Sequence, residues 1–307
     1  MMNAIETSGL SKQYGTHTAL DGLSIKIPKG SICGFLGRNG AGKTTTIKML
    51  VGLTKPTSGT IILMGSQYNY GSRDNSVIGY LPDVPNFYGY MTAQEYLEFC
   101  GKLYCLQKSK LRIRIDELLK QVGLEDAKNN IASFSRGMKQ RLGIAQALIH
   151  EPDILFMDEP ISALDPIGRH EVMELICSLK GSVTVFFSTH ILADVETTCD
   201  YAVILNKGKL LVADSIANIK HKHALNTGVL RFYTQEESKK FVDALEKDMD
   251  IFAEQSNPLE LLLHGSNTKD IGRRVSRILS DVDISMESYQ AYVPSLEDIF
   301  MEVTAHE

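Results

Sequence analysis

Four short runs, "SICGFLG" (31–37), "DILFMD" (153–158), "VTVFFST" (183–189) and "YAVILN" (201–206), are apolar at nearly every position instead of at alternate ones. A strand that is apolar on both sides must be covered on both sides, as the central strands of largely parallel sheets are. From residue 4 to about 215 such runs alternate with amphipathic helical stretches, which predicts an α/β domain. Residues 92–150 depart from this rhythm. Thr92-Ala93-Gln94-Glu95 reads as a capping box, "AQEYLEFCGKLY" carries a helical stripe, and "RIRIDELLKQVG" ends at Gly123, so the segment is expected to be a helical insertion.

After "YAVILNKGKLLVA", with a hairpin turn expected at Lys207-Gly208, the pattern changes near residue 220. "VLRFYT", "ESKKFVDALEKD", "LELLLHG", "KDIGRRVSRILSD" and "ISMESYQAYV" alternate strand-like and helix-like periodicity, and "SLEDIFMEVT" closes as a short helix. The expected organisation is a domain over 1–218 and a small α+β appendage over 219–307.

Chemistry enters at "GFLGRNGAGKTTTIKML", residues 34–50. Gly37-x4-Gly42-Lys43-Thr44 follows an apolar strand and opens a helix, the context in which this spacing cradles phosphate. Gly37, Gly40 and Gly42 let backbone N–H groups converge on phosphate oxygens, and the helix N-terminus adds its positive end. Lys43 is expected to reach the β- and γ-phosphates and the Thr44 hydroxyl to bind Mg²⁺. A second element is "ILFMDEP", 154–160, where a buried strand ends in two carboxylates. Strand alternation predicts that they point to opposite sides, with Asp158 on the metal side and Glu159 as general base.

With these motifs in this order, residues 4–215 resemble the ATP-binding subunit of an ABC transporter. "FSRGMKQR" (134–141) looks like the family's signature motif, with Ser135 and Gly137 matching its serine and last glycine. Ser135 reads as the N-cap of a helix over 136–149, a second anion site without a lysine. The resemblance implies a P-loop NTPase cassette with an antiparallel N-terminal β subdomain. Its nucleotide contacts would run along Gly37, Asn39, Gly40, Ala41, Gly42, Lys43, Thr44 and Thr45, with Ser135 and Gly137 reaching ATP bound by a second cassette. "ISALDP" (161–166) is similar to the D-loop, with Asp165 at the subunit junction. "STH" (188–190) puts His190 at the switch position. Tyr14 resembles the aromatic that stacks on adenine; a core tyrosine is the other reading.

Two positions depart from the family pattern. "GYLPD" (79–83) looks like the Q-loop but carries Asp83 where glutamine is usual, a shorter and charged group that can still coordinate Mg²⁺. Arg136 replaces a signature glycine. A single cassette with an appendage ending in "VPSLEDIFMEVT" is similar to export-type cassettes serving antibiotic, peptide, lipid or ion efflux.

Composition narrows the partners. No apolar run approaches the roughly 18–20 residues that span a bilayer, so the permease is expected to be a separate polytopic membrane protein. The aromatics of "VPNFYGYMTAQEYLEF" (84–99) read either as the surface that meets it or as packing of the insertion. The N-terminus lacks a signal-peptide pattern, which suggests a cytoplasmic protein held at the inner face of the membrane. A net charge of -5 argues against a nucleic-acid partner. The other nucleotide-binding subunit is expected to be a second copy of this chain. Five cysteines without a CxxC pair read as buried thiols, and His221 and His223 as part of a solvated linker.

Overall fold

A computed structural model describes residues 2–68, 70, 71, 76–223, 227–245 and 251–305. The first elements are β1 (Asn3–Tyr14), β2 (His17–Pro28), β3 (Ile32–Leu36), α1 (Lys43–Leu50), β4 (Ser58–Leu63), β5 (Ser66–Tyr68) and β6 (Ile78–Leu81). The helical stretch holds α2 (Ala93–Leu103), α3 (Lys108–Gln121) and α4 (Arg136–Leu148), with a 3-10 turn at Ile131–Ser133. Then follow β7 (Ile154–Met157), α5 (Pro166–Ser178), β8 (Thr184–Thr189), α6 (Leu192–Thr198), β9 (Tyr201–Asn206), β10 (Lys209–Ser215) and α7 (Ile216–His223).

Two sheets form from these strands. The antiparallel one has the order β2-β1-β4-β5 and the other the order β10-β9-β3-β8-β7-β6. In the second, β9, β3, β8, β7 and β6 pair in parallel and β10 joins β9 antiparallel. All four runs that are apolar on both faces fall in it. β3, β7 and β8 are buried at every residue, because helices cover a parallel sheet on both sides. Phe35, Phe186 and Phe156 pack in tilted and edge-to-face contacts through its middle.

The capping box forms as read: Thr92 Oγ1 accepts the Glu95 N–H at 3.2 Å, and the Thr92 N–H returns to Glu95 Oε2 at 2.8 Å. Lys207 and Gly208, both at positive φ (44° and 81°), turn β9 into β10. The thiols divide. Cys33 and Cys100 are buried and Cys199 is half-buried, but Cys105, in the turn after α2, and Cys177, on α5, are exposed, so the expectation of buried thiols fails for those two.

The chain separates into two compact units, Met1–Ile216 and Ala217–Glu307. The second holds β11 (Thr227–Arg231), α8 (Gln235–Leu245), β12 (Phe252–Asn257), β13 (Glu260–His264), α9 (Thr268–Val282), β14 (Ser288–Ala291) and α10 (Leu296–Ala305). Its sheet order, β12-β13-β11-β14 with every neighbour antiparallel, makes it a split βαβ, the ferredoxin-like arrangement. Leu230, Leu261 and Leu263 from the sheet pack with Phe241, Leu245, Ile271 and Val275 from the two helices. β12 was not foreseen from the sequence. Its residues, "FAEQSN", are exposed or half-buried throughout and leave no apolar pattern to read. Residues 246–248 of the helix expected over 237–248 lie outside the described residues. His221 is an exposed residue of α7 instead of a linker, and the side chain of His223 lies outside the described residues. No metal-ligating cluster of His, Cys, Asp or Glu occurs among the described residues.

Candidate functional site

β3 delivers the chain to Gly37 in the middle of the parallel sheet, and α1 leaves from Lys43. Between them the loop is tight enough that side chains are excluded at particular points. A Cβ on Gly37 would stand 2.7 Å from Leu205 O, and one on Gly42, at φ 103°, only 2.5 Å from Ala19 O. Gly42 is also the N-cap of α1, and no side chain caps that end. The first N–H groups of a helix have no partner within it, so those of Lys43, Thr44 and Thr45 are left for an outside acceptor. Thr46 N–H is the first to find one, at 2.9 Å from Gly42 O.

The carboxylates at the end of β7 converge on the same turn of α1. Thr44 Oγ1 donates to Asp158 Oδ1 at 3.2 Å. Lys43 Nζ donates to Gly37 O at 2.7 Å and lies 3.2 Å from Glu159 Oε1. His190 Nδ1, at the end of β8, is 3.0 Å from Glu159 Oε2. This corrects the expectation that alternation would send Asp158 and Glu159 to opposite sides. The strand ends at Met157 and Glu159 takes a left-handed φ of 49°, so the period of 2 no longer applies and both acids face the loop. Burying a cation is costly unless it is paired, and Lys43, only 6% exposed, has its partner in Glu159.

A cavity of about 520 Å³ opens over this cluster. It is lined by the loop from Asn39 to Thr45 and by Tyr14, Asp83, Glu159 and His190 among others. Of the expected contacts along the loop, Asn39, Gly40, Ala41, Gly42, Lys43, Thr44 and Thr45 all line it, while Gly37 lies beneath. Tyr14 is 49% exposed, with Lys12 Nζ 4.7 Å from its ring centre, which rules out the core reading of this tyrosine. Asp83 sits on the wall. Partial burial, together with the nearby Asp158, raises its carboxyl above the usual range, and Arg136 pulls in the other direction.

Ser135 and Gly137 do not join this cavity. Ser135 Oγ accepts the Met138 N–H at 3.2 Å and caps α4, as read, and it is exposed. Asp165 caps α5 by accepting the Gly168 N–H at 3.0 Å. Three lining residues escaped the sequence reading: His17, Ala19 and Ser162. His17 pairs with Tyr14 across the β1–β2 turn, so its place follows from register, which has no signature in the sequence. Ser188, at the end of β8, was noticed only as part of "STH"; it is wholly buried and bonded to both acidic positions.

The profile of the family described as ABC transporter matches residues 20–162, from β2 through the loop 37–45 and α4 to just past Glu159. An ABC transporter ATP-binding protein of Bacillus subtilis, YxlF, is 39% identical over 304 residues, covering 97% of this chain and 99% of that one. This chain belongs to the ABC transporter ATP-binding proteins. The bacitracin transport ATP-binding protein BcrA of Bacillus licheniformis is 38% identical over 307 residues, 99% of this chain and 98% of its own. Among solved structures, the ATP-binding subunit of an ABC transporter superposes with a TM-score of 0.63 at 31% identity, covering 72% of this chain and 93% of that one. CbiO1 of Clostridium perfringens, described as part of the transporter complex cbiONQ, gives 0.66 at 27%, covering 73% and 92%. This ABC subunit is therefore an ATPase that drives a membrane permease. No helix among its described residues is long and apolar enough to cross a membrane.

Proposed function

We propose that this subunit binds MgATP in the loop 37–45, dimerises with a second copy, hydrolyses the ATP through Glu159 and so powers an export permease. The observation that carries the reading is that Thr44 meets Asp158 while Lys43 and His190 both meet Glu159, and that Lys43, Thr44, Glu159 and His190 line a single cavity. In this reading the uncapped N–H groups of Lys43, Thr44 and Thr45 hold phosphate oxygens, and Lys43 exchanges Glu159 for a phosphate as ATP enters. Tyr14 lies against the adenine. Glu159, released from Lys43, takes the proton of the attacking water, and His190 holds the γ-phosphate and the water in line.

The donor set suits Mg²⁺. Thr44 Oγ1 and Asp158 Oδ1 are 3.2 Å apart and both are hard oxygens, with Asp83 a further carboxylate on the wall. Bound there, the ion would neutralise charge on the β- and γ-phosphates. Ser135 and Gly137 do not line their own chain's cavity, and the exposed N-terminus of α4 is offered to the γ-phosphate of a second copy, which gives a homodimer with two shared sites. Residues 1–218 act as the nucleotide-binding domain and 219–307 as an accessory domain.

Export of an antibiotic, peptide, lipid or ion is supported by the near end-to-end similarity to the BcrA protein of Bacillus licheniformis, 38% identical. On this reading the subunit sits at the cytoplasmic face of the membrane and takes no nucleic acid. The docking surface is the aromatic group after the Q-loop: Tyr88 and Tyr90 are 49% and 71% exposed, whereas Phe87 packs inward on Tyr96, its ring centre 5.1 Å away. The test is purification of the tagged chain from detergent-solubilised membranes with mass spectrometry and ATPase assay. A stoichiometric polytopic membrane protein that stimulates phosphate release supports the reading; ribosomal proteins, or no membrane protein, overturn it.

A further inference from the structure

β8 lies between β3 and β7, and its ladder with β7 runs from Ile154↔Thr184 to Met157↔Phe187 and then stops. The next residue on β8 is Ser188. Opposite it the chain has left the ladder: Asp158 N–H bonds to Leu81 O on β6, and Glu159 turns into the left-handed region. A buried N–H released from a sheet needs a new acceptor. Glu159 N–H finds it in Ser188 Oγ, at 2.9 Å. The same hydroxyl donates its proton to Asp158 Oδ1 at 2.7 Å, the oxygen that also accepts from Thr44.

Ser188 is wholly buried at the end of the run "VTVFFST", where an apolar side chain would fill the space without any polar group to satisfy. Its hydroxyl instead uses its donor on one acid and an acceptor on the backbone of the other. Asp158 Oδ1 is fixed from both sides by Ser188 and Thr44. Glu159 is fixed at its backbone by Ser188 and at its carboxylate by Lys43 and His190.

We propose that Ser188 is a positioning residue for hydrolysis, a single buried hydroxyl that sets the metal-side carboxylate and the general base in register with each other. The proposal rests on the roles given above to Asp158 and Glu159. Ser188 does not line the cavity, so its loss acts through those two residues. Without the hydroxyl, the Asp158 carboxylate keeps Thr44 as its hydrogen-bond donor among the described residues, and the turn at Glu159 loses a bond that holds a conformation unfavourable for a residue with a Cβ. ATP is bound by the loop and Lys43, which Ser188 does not contact. Chemistry should therefore suffer and binding should not.

Ser188→Thr and Ser188→Val test this directly, because the two side chains have nearly the same shape and share any cost of added bulk, but only one has a hydroxyl. The expected result is a kcat at least about tenfold higher for Ser188→Thr than for Ser188→Val, the size of one buried charge-assisted hydrogen bond, with KM for ATP within about twofold between them. Ser188→Ala should show the same loss of kcat while keeping nucleotide affinity. Equal kcat for the threonine and valine variants, or a KM that rises in step with the loss of the hydroxyl, overturns the proposal. Glu159→Gln, measured in parallel, separates the two levels: if it retains hydrolysis the role of Glu159 has failed, whereas abolished hydrolysis with equal threonine and valine rates rejects Ser188 alone.

Discussion

Glu159→Gln preserves the shape of the side chain while removing its charge and its capacity to accept a proton. One oxygen of Glu159 lies 3.2 Å from Lys43 Nζ and the other 3.0 Å from His190 Nδ1, so a single substitution alters both the proposed base and its anchors. A positioned general base contributes about 10²–10⁴-fold to rate. At 1.36 kcal/mol per decade this raises the barrier by about 3–5 kcal/mol. Phosphate release in a single turnover, measured by rapid quench with ATP bound in advance, should fall by that factor. Binding should move the other way. Two unit charges at the Lys43–Glu159 spacing attract by about 5 kcal/mol at an effective dielectric constant of about 20, before desolvation is counted. That attraction competes with phosphate for Lys43, and the amide weakens it. The dissociation constant for ATP, read by titration calorimetry, should therefore be unchanged or lower. A rate within about threefold of the parent would refute the assignment of the base. A loss of ATP affinity would show that Glu159 holds the loop together instead of competing for its cation.

The remaining predictions address the loop, the insertion and the docking surface. Gly42→Ala should destabilise by about 1–2 kcal/mol for its left-handed backbone, with more for displacing Ala19 O, and should weaken ATP binding; thermal unfolding and calorimetry read both. His150, stacked on Tyr104 with ring centres 4.0 Å apart, donates through Nε2 to Ile78 O, and burial lowers its pKa. The unfolded chain then binds more protons than the folded one as pH falls through about 6.5, so stability drops on that side. His150→Phe should lose less stability than the parent between neutral and mildly acid pH in urea melts; parallel curves would refute it. Changing Tyr88 and Tyr90 together to Glu should reduce co-purification of the permease while leaving basal ATP affinity unchanged.

How much of this was readable in advance varies with the physics behind each feature. Strands covered on both faces announce themselves, and β3, β7, β8 and β9 fall within a residue or two of the four apolar runs. The phosphate loop was legible because its chemistry demands glycines and a lysine at fixed spacing from a strand. Ser135 was legible because an N-cap is a local device. What failed depended on where a strand stops. Asp158 and Glu159 were assigned opposite directions by extending β7 two residues too far, past Met157, and the left-handed turn at Glu159 is held by tertiary contacts, Ser188 among them. β12 was missed because an exposed polar strand has nothing to bury. Tyr14 was undecided between core and surface, since a tyrosine at the end of a hairpin strand suits either until the cavity beside it is seen.

In the proposed dimer, two copies of this chain share each ATP between the loop 37–45 of one and the helix beginning at Ser135 of the other. Sedimentation velocity of the Glu159→Gln protein, with and without MgATP, tests it most directly. The expected result is a monomer without nucleotide, a dimer with ATP, and no dimer when Ser135→Arg is added even though calorimetry still finds ATP bound. A protein that binds ATP and remains monomeric, or a dimer indifferent to Ser135→Arg, would contradict it.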